Sequence, residues 1–167
     1  MENKVLNIVL IEPEIPQNTG NIARTCAALE ARLHLVEPLG FKIDEKSVKR
    51  AGLDYWSMVD IVTYPSSEDF FNKHDAKKMF YCTTKGKHLY SEAPYNTEED
   101  IWLVFGKETK GLDEELLHDN YERCIRIPMR EGARSLNLSN AVAIIAYDAA
   151  RQLGFYDLEQ CGNLTKY

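Results

Sequence analysis

The chain has no excess of positive charge. Its 20 Lys and Arg residues stand against 26 Asp and Glu, a net charge of −6. A general nucleic-acid binder carries the opposite balance, so the sequence argues against tight non-specific binding. A local basic patch remains compatible with it, because phosphate contacts act within a Debye length of ~8–10 Å. Long hydrophobic runs are missing too: nothing approaches the ~20 apolar residues of a membrane span. The opening Met1-Glu2-Asn3-Lys4 has no basic region leading into an apolar stretch and cleavage site, so the expectation is a cytoplasmic protein. Cysteine is sparse, at Cys26, Cys82, Cys124 and Cys161. No pair has C-x-x-C spacing and no His stands at zinc-ligand distance in sequence, which points to reduced thiols and to no metal. There is no G-x-S-x-G elbow, no G-x-G-x-x-G and no Walker loop. His34, His74, His88 and His118 are scattered without evident partners.

What is present is an ordinary globular composition, 44% hydrophobic and 28% charged over 167 residues. That suffices for one core and is short for two. The expectation is a single domain over residues 1–156 with a short tail at 157–167. Val5–Ile11 is a nearly continuous apolar run, as in a strand covered on both faces. Further strands are expected at Leu33–Val36, Ile61–Tyr64, Met79–Thr83, Ile101–Phe105 and Ile125–Pro128. Helices are expected from Asn18 to Glu30, capped by Asn18 or Thr19, and from Lys42 to Ala51. Another follows the capping box Ser66-x-x-Asp69 and carries Phe70 and Phe71; a short one follows Gly111. The last runs from Ser139 to Leu153, with Gly154 at C′. Strands alternating with helices predict an α/β fold, a mostly parallel sheet with helices on both faces. The final helix is apolar nearly all round, through Val142, Ile145, Ala146, Ala149 and Leu153 on one face and Ala141 and Ile144 on another. Such a helix is either central to its own core or buried at a subunit interface.

Ligands of parallel sheets bind at the carboxyl ends of strands, which singles out the loops after Ile11, Cys82, Phe105 and Ile127. Thr19-Gly20-Asn21 at a helix start could cradle an anion on backbone N–H groups. That keeps a flavin- or nucleotide-binding module in view, although Glu12 and Glu14 would repel a phosphate. Arg24 is the charged residue of an otherwise small and apolar helix, either a surface residue or a functional cation. In Gly106–Gly111 two glycines five apart bracket a polar turn, either a ligand loop or a tight turn. Ser135-Leu-Asn-Leu-Ser-Asn140 holds four polar residues in six positions where one would cap a helix. Arg130 and Arg134 add positive charge beside it.

Three stretches carry a family resemblance: Asn18-Thr-Gly-Asn-Ile-x-Arg24, Phe105-Gly-x-Glu-Thr-x-Gly-Leu112, and Ile127-Pro-Met followed by Ser135-Leu-Asn-Leu-Ser-Asn140. In this order they resemble the signature motifs of the SPOUT RNA methyltransferases. Glu12–Pro16, Arg50–Tyr55 and Thr83–Gly86 resemble the small tRNA (cytidine/uridine-2′-O)-methyltransferase subgroup. The resemblance spans roughly residues 5–156. It implies a deep C-terminal trefoil knot, an exception to the rule against knots. It implies S-adenosylmethionine as methyl donor, held by Cys82, Thr83, Gly106, Gly111, Ile127, Met129, Ser135, Leu136 and Asn140. It implies a homodimer with the active site at the interface, acting on the wobble nucleotide in the anticodon loop of tRNA. Arg24, with Glu108, Ser135 and Asn137 orienting it, matches the family's catalytic positions. A guanidinium keeps its proton in proteins, so Arg24 is read either as base or as the anchor of the adjacent phosphate. Lys42, Lys46, Lys49, Arg50, Arg130 and Arg134 are candidate phosphate contacts. A non-catalytic RNA-binding protein of the same fold is the remaining alternative.

Overall fold

The computed structural model describes residues 5–43, 55–95, 99–155 and 158–166. Seven strands form one sheet: β1 (Leu6–Ile11), β2 (Arg32–Val36), β3 (Ile61–Tyr64), β4 (Phe80–Cys82), β5 (His88–Leu89), β6 (Ile101–Phe105) and β7 (Cys124–Arg126). Their order across the sheet is β3-β2-β1-β6-β4-β7-β5. All pairings between these strands are parallel. Four α-helices are described: α1 (Pro16–Leu29), α2 (Ser67–Lys73), α3 (Glu114–Asp119) and α4 (Leu138–Gln152).

The apolar run of β1 is buried at every position because both faces of the sheet are covered. Ile8 and Leu10 point into a core shared with Ile22 and Cys26 of α1 and Val142 and Ile145 of α4. Val9 and Ile11 point the other way, into a core with Phe70 of α2 and Leu117 of α3. The period-2 alternation thus divides one strand between two cores, as the expected α/β architecture requires. No helix among the described residues is long and apolar enough to cross a membrane.

Two sequence expectations shift. Helix α1 opens at Pro16 rather than Asn18, and Ile15 at its N-cap makes no side-chain cap bond. Proline at the first helical position has φ already set and no N–H to satisfy. Asn18 and Thr19 therefore lie inside the helix, buried, instead of capping it. The two-residue strand β5 gave no sequence signal, being shorter than any hydrophobic period. The helix expected over Lys42–Ala51 falls, from residue 44 on, outside the described residues. So do Lys46, Lys49 and Arg50.

β7 sits between β4 and β5, although 83–87 joins those two directly. The joining segment crosses β7 at Ile125: Thr83 N donates to Ile125 O (3.0 Å) and Lys87 N to Cys124 O (3.0 Å). A Cβ on Gly86 would stand 2.4 Å from the carbonyl carbon of Ile125. Only glycine lets the arch lie this close to the strand.

Candidate active site

A cavity of about 500 Å³ opens at the carboxyl ends of β4, β6 and β7. Its walls come from the three segments that follow those strands and from the start of α4. Cys82, Thr83, Gly106, Gly111, Ile127, Met129, Ser135 and Leu136 all line it, as do Glu108 and Asn137. Asn140 does not. It is exposed on α4, while Leu138, Ala141 and Ile145 turn to the cavity. These three fall at i, i+3 and i+7, one face of the helix, and Asn140 lies off that stripe. Arg24 is not among the lining residues either; it is exposed on α1. Arg130 is likewise exposed and outside the cavity wall, whereas Arg134 is part of it.

The polar floor is a chain of hydrogen bonds linking all three motif loops. The Glu108 carboxylate accepts from Glu14 N (2.8 Å), Ile15 N (3.1 Å) and Asn18 Nδ2 (3.2 Å). Asn18 Oδ1 accepts from Asn137 Nδ2 (3.0 Å). Asn137 Oδ1 in turn accepts from Ser139 N (2.9 Å) and Ser139 Oγ (2.6 Å), capping α4. Glu14 returns the contact: its carboxylate accepts from Thr109 N and Thr109 Oγ1, both at 3.0 Å. Lys107 and Glu12 form an ion pair between the same two loops. Glu108 and Asn137 thus act on the helix that carries Arg24. Asn18 and Glu14 were not singled out as site residues from sequence. The available signal was the place of Asn18 at the head of the first motif; its burial, which obliges the amide to find partners, comes from the fold.

Gly106 makes the second loop close on itself. A Cβ there would stand 2.2 Å from Gly111 C and 2.4 Å from Leu112 N. Gly111, at φ +69°, supplies the left-handed residue of the turn, and its N–H donates to Lys107 O (2.9 Å). Two backbone segments therefore meet edge to edge beside the cavity.

Burial, and then the neighbouring Cys124, push the Cys82 thiol well above the ordinary thiol range. A thiol held protonated is no nucleophile at neutral pH, so Cys82 serves the cavity as an apolar wall. The anion cradle considered as an alternative at Thr19-Gly20-Asn21 does not form. These residues lie within α1, Thr19 and Gly20 buried, and the backbone donors ahead of the helix are taken by Glu108. The ground for a flavin-phosphate site is thereby removed. Among the described residues no three His, Cys, Asp or Glu side chains cluster as metal ligands.

The chain is 52% identical over 161 residues to a Listeria monocytogenes protein provisionally named tRNA (cytidine(34)-2′-O)-methyltransferase; the match covers 96% of this chain and 95% of the relative. A solved structure, studied for the 2-OH methylation of C/U34 on tRNA, superposes with a TM-score of 0.82 at 42% identity, covering 91% of this chain and 98% of its own. The SpoU methyltransferase AviRb of Streptomyces viridochromogenes, in complex with AdoMet, superposes with a TM-score of 0.77 at 25% identity, covering 92% of this chain and 59% of its own. The SpoU rRNA Methylase family model matches residues 5–147, a span that holds Arg24, the Asn18–Glu108–Asn137 chain and the cavity that this chain of bonds borders, and this protein belongs to that family.

Proposed function

We propose that this protein transfers a methyl group from S-adenosylmethionine to the ribose 2′-hydroxyl of the wobble cytidine or uridine of tRNA. The observation that carries the reading is the hydrogen-bonded tie between the cavity loops and the helix of Arg24, through Glu108, Asn18 and Asn137. It joins a ligand-sized cavity to an exposed cation on one rigid support. The names of the relatives supply the substrate.

The cavity suits the methyl donor. Its volume lies within the ~300–1,000 Å³ of small-molecule sites. Leu117, Ile125, Ile127, Leu138 and Ile145 offer an apolar wall for a purine. The closed backbone turn at Gly106–Gly111 offers peptide groups at its edge. Lys110 and Arg134 bring positive charge to the rim for a carboxylate, and Lys85 there is paired with Glu114 (3.2 Å). When bound, the donor supplies an electrophilic methyl group on a sulfonium, so the protein needs no covalent intermediate.

The chain's own task is alignment. Bringing the 2′-oxygen in line with the methyl carbon is the main requirement. Arg24 binds the phosphate beside the target ribose and stabilises negative charge building on the 2′-oxygen. Glu108 and Asn137 fix, through Asn18, the helix that carries Arg24. Ser135, exposed at that mouth, contacts the ribose. The protein acts as a homodimer in the cytoplasm. Ile144 (37% exposed) and Tyr147 (44% exposed) leave on α4 an apolar face that a second copy covers. Residues 1–156 form the one catalytic domain, and the chain follows the trefoil path; the 83–87 arch across β7 supports that path.

The test is transfer of labelled methyl from S-adenosylmethionine to bulk tRNA lacking its own wobble 2′-O-methylation, followed by nucleoside mapping. Label on the wobble ribose is expected. Label on a base, or none despite measurable cofactor binding, overturns the reading.

A further inference from the structure

The exposed Arg24 side chain does not float free. Its guanidinium carbon lies 4.8 Å from the centroid of the Tyr55 ring. Its Nη2 donates to the Tyr55 hydroxyl at 3.4 Å, a long bond, so the stack is the stronger of the two contacts. Tyr55 is itself anchored. Its carbonyl accepts from Met58 N (2.9 Å), opening the 3₁₀ turn Trp56–Met58. Trp56 and Val59 pack against the core that α1 and α4 share. The backbone at Tyr55 is therefore set by the fold, and its ring meets Arg24 with no nucleic acid present.

Arginine has more rotamer freedom than most side chains, and a flexible cation must lose it on binding. Stacking on a fixed ring removes part of that freedom beforehand. A cation over the ring with one long hydrogen bond to the hydroxyl still has N–H groups to offer a phosphate. We propose that Tyr55 is a positioning residue for methyl transfer: it stacks on Arg24 and presents the guanidinium edge to the RNA. This rests on the role given to Arg24 above.

The experiment is single-turnover methyl transfer at saturating tRNA and S-adenosylmethionine, with cofactor Kd and Tm recorded for each variant. Tyr55→Leu is expected to slow transfer by roughly two- to fivefold, the rate equivalent of an exposed cation–π contact, with cofactor Kd and Tm unchanged. Tyr55→Phe and Tyr55→Trp, which keep a ring, should restore the rate. Packing alone would not make the rate follow the ring. Tyr55→Gln, polar and ringless, should be as slow as Tyr55→Leu and replaces it if that variant fails to fold. Ringless variants at the full rate, or Tyr55→Phe as slow as they are, overturn the proposal. Arg24→Ala separates the two claims. If it retains turnover, the role of Arg24 itself falls; if it is inactive while ringless Tyr55 variants run at full rate, only the stacking role falls.

Discussion

Glu108 bonds three donors with two oxygens, and every donor belongs to the segment entering or opening α1. Glu108→Gln keeps the shape but replaces one oxygen with an NH2 that must face an N–H. Leaving such donors unsatisfied costs about 1–3 kcal/mol. The expected outcome is a lower Tm together with slower methyl transfer, read by thermal denaturation and a turnover assay on the same sample. Wild-type values in both would show that the clamp is dispensable. Gly106→Ala acts differently, since its Cβ would overlap the backbone at Gly111 and Leu112. Backbone cannot swing aside as a side-chain tip can, so the turn must open. Calorimetric titration should show S-adenosylmethionine binding weakened roughly tenfold or more, in a protein that still folds. Undiminished affinity would mean that the turn does not shape the cofactor site. The family resemblance marks both residues, but the contacts through which they act are not legible from sequence. The polar surplus in Ser135–Asn140 marked the loop, but only the fold reveals that Asn137 reaches Asn18, 119 positions away. The Tyr55 ring beside Arg24 is equally a product of tertiary placement.

Among elements, those whose sequence repeats a period were the readable ones. Strands β1, β2 and β6 and helix α4 fall within a residue or so of their expected bounds, because burial on two faces or one stripe writes itself into consecutive side chains. The start of α1 differs from expectation because Pro16 opens the helix without a side-chain cap, and the donors just ahead of it, Glu14 N and Ile15 N, are satisfied by Glu108 from another loop, a partner that no local pattern announces. The polar link among β1, β2, β3 and the C-cap of α2 was also invisible. His34 Nε2 meets Asn7 Oδ1 (3.0 Å), His34 Nδ1 meets the Tyr64 hydroxyl (2.9 Å), and that hydroxyl meets His74 Nε2 (3.0 Å). Asn7 Nδ2 donates to Val5 O and Ile101 O, so Asn7 Oδ1 accepts from His34. Neutral His34 then accepts from Tyr64 at Nδ1, and His74 donates to Tyr64. A second proton on His34 would oppose the Tyr64 O–H. Burial first, then His74 and Arg32, lower the His34 pKa to about 4. Burial, then Lys73, lower that of His74 as well. A histidine whose folded pKa is depressed is protonated in the unfolded chain first. Its stabilising effect is complete above the unfolded value of about 6.5 and is lost as pH falls from there towards 4. The loss should reach up to about 3 kcal/mol. Urea unfolding at stepped pH would measure it, and His34→Gln should flatten the slope. A wild-type stability that is level from pH 7 to 4.5 would refute the assignment.

At the scale of the whole molecule, an acidic chain must handle a polyanion, and it must do so with a small surface. The cations at the cavity rim, Lys85, Lys110 and Arg134, are local rather than global, which agrees with a net charge of −6. A second copy would double the surface available to one tRNA without adding sequence. Helix α4 is where the molecule shows room for it. Val142, Ile145, Ala146 and Ala149 are spent on the internal core, leaving Ile144 and Tyr147 exposed on the same helix, and Ile15 and Leu136 exposed elsewhere. Pairing of α4 with its copy would be isologous, each residue meeting the same surface on its partner. A charge placed there enters the apolar patch of both copies and is buried twice without a partner. Ile144→Glu and Tyr147→Glu are therefore each expected to shift a dimer towards monomer in sedimentation experiments at micromolar concentration. Both positions are exposed in the single chain, so Tm should fall only by what the lost interface contributed. Methyl transfer to tRNA should fall by at least tenfold, about 1.4 kcal/mol in barrier, if the site needs both copies. A variant that sediments as a monomer and keeps full turnover would place the whole reaction within one chain.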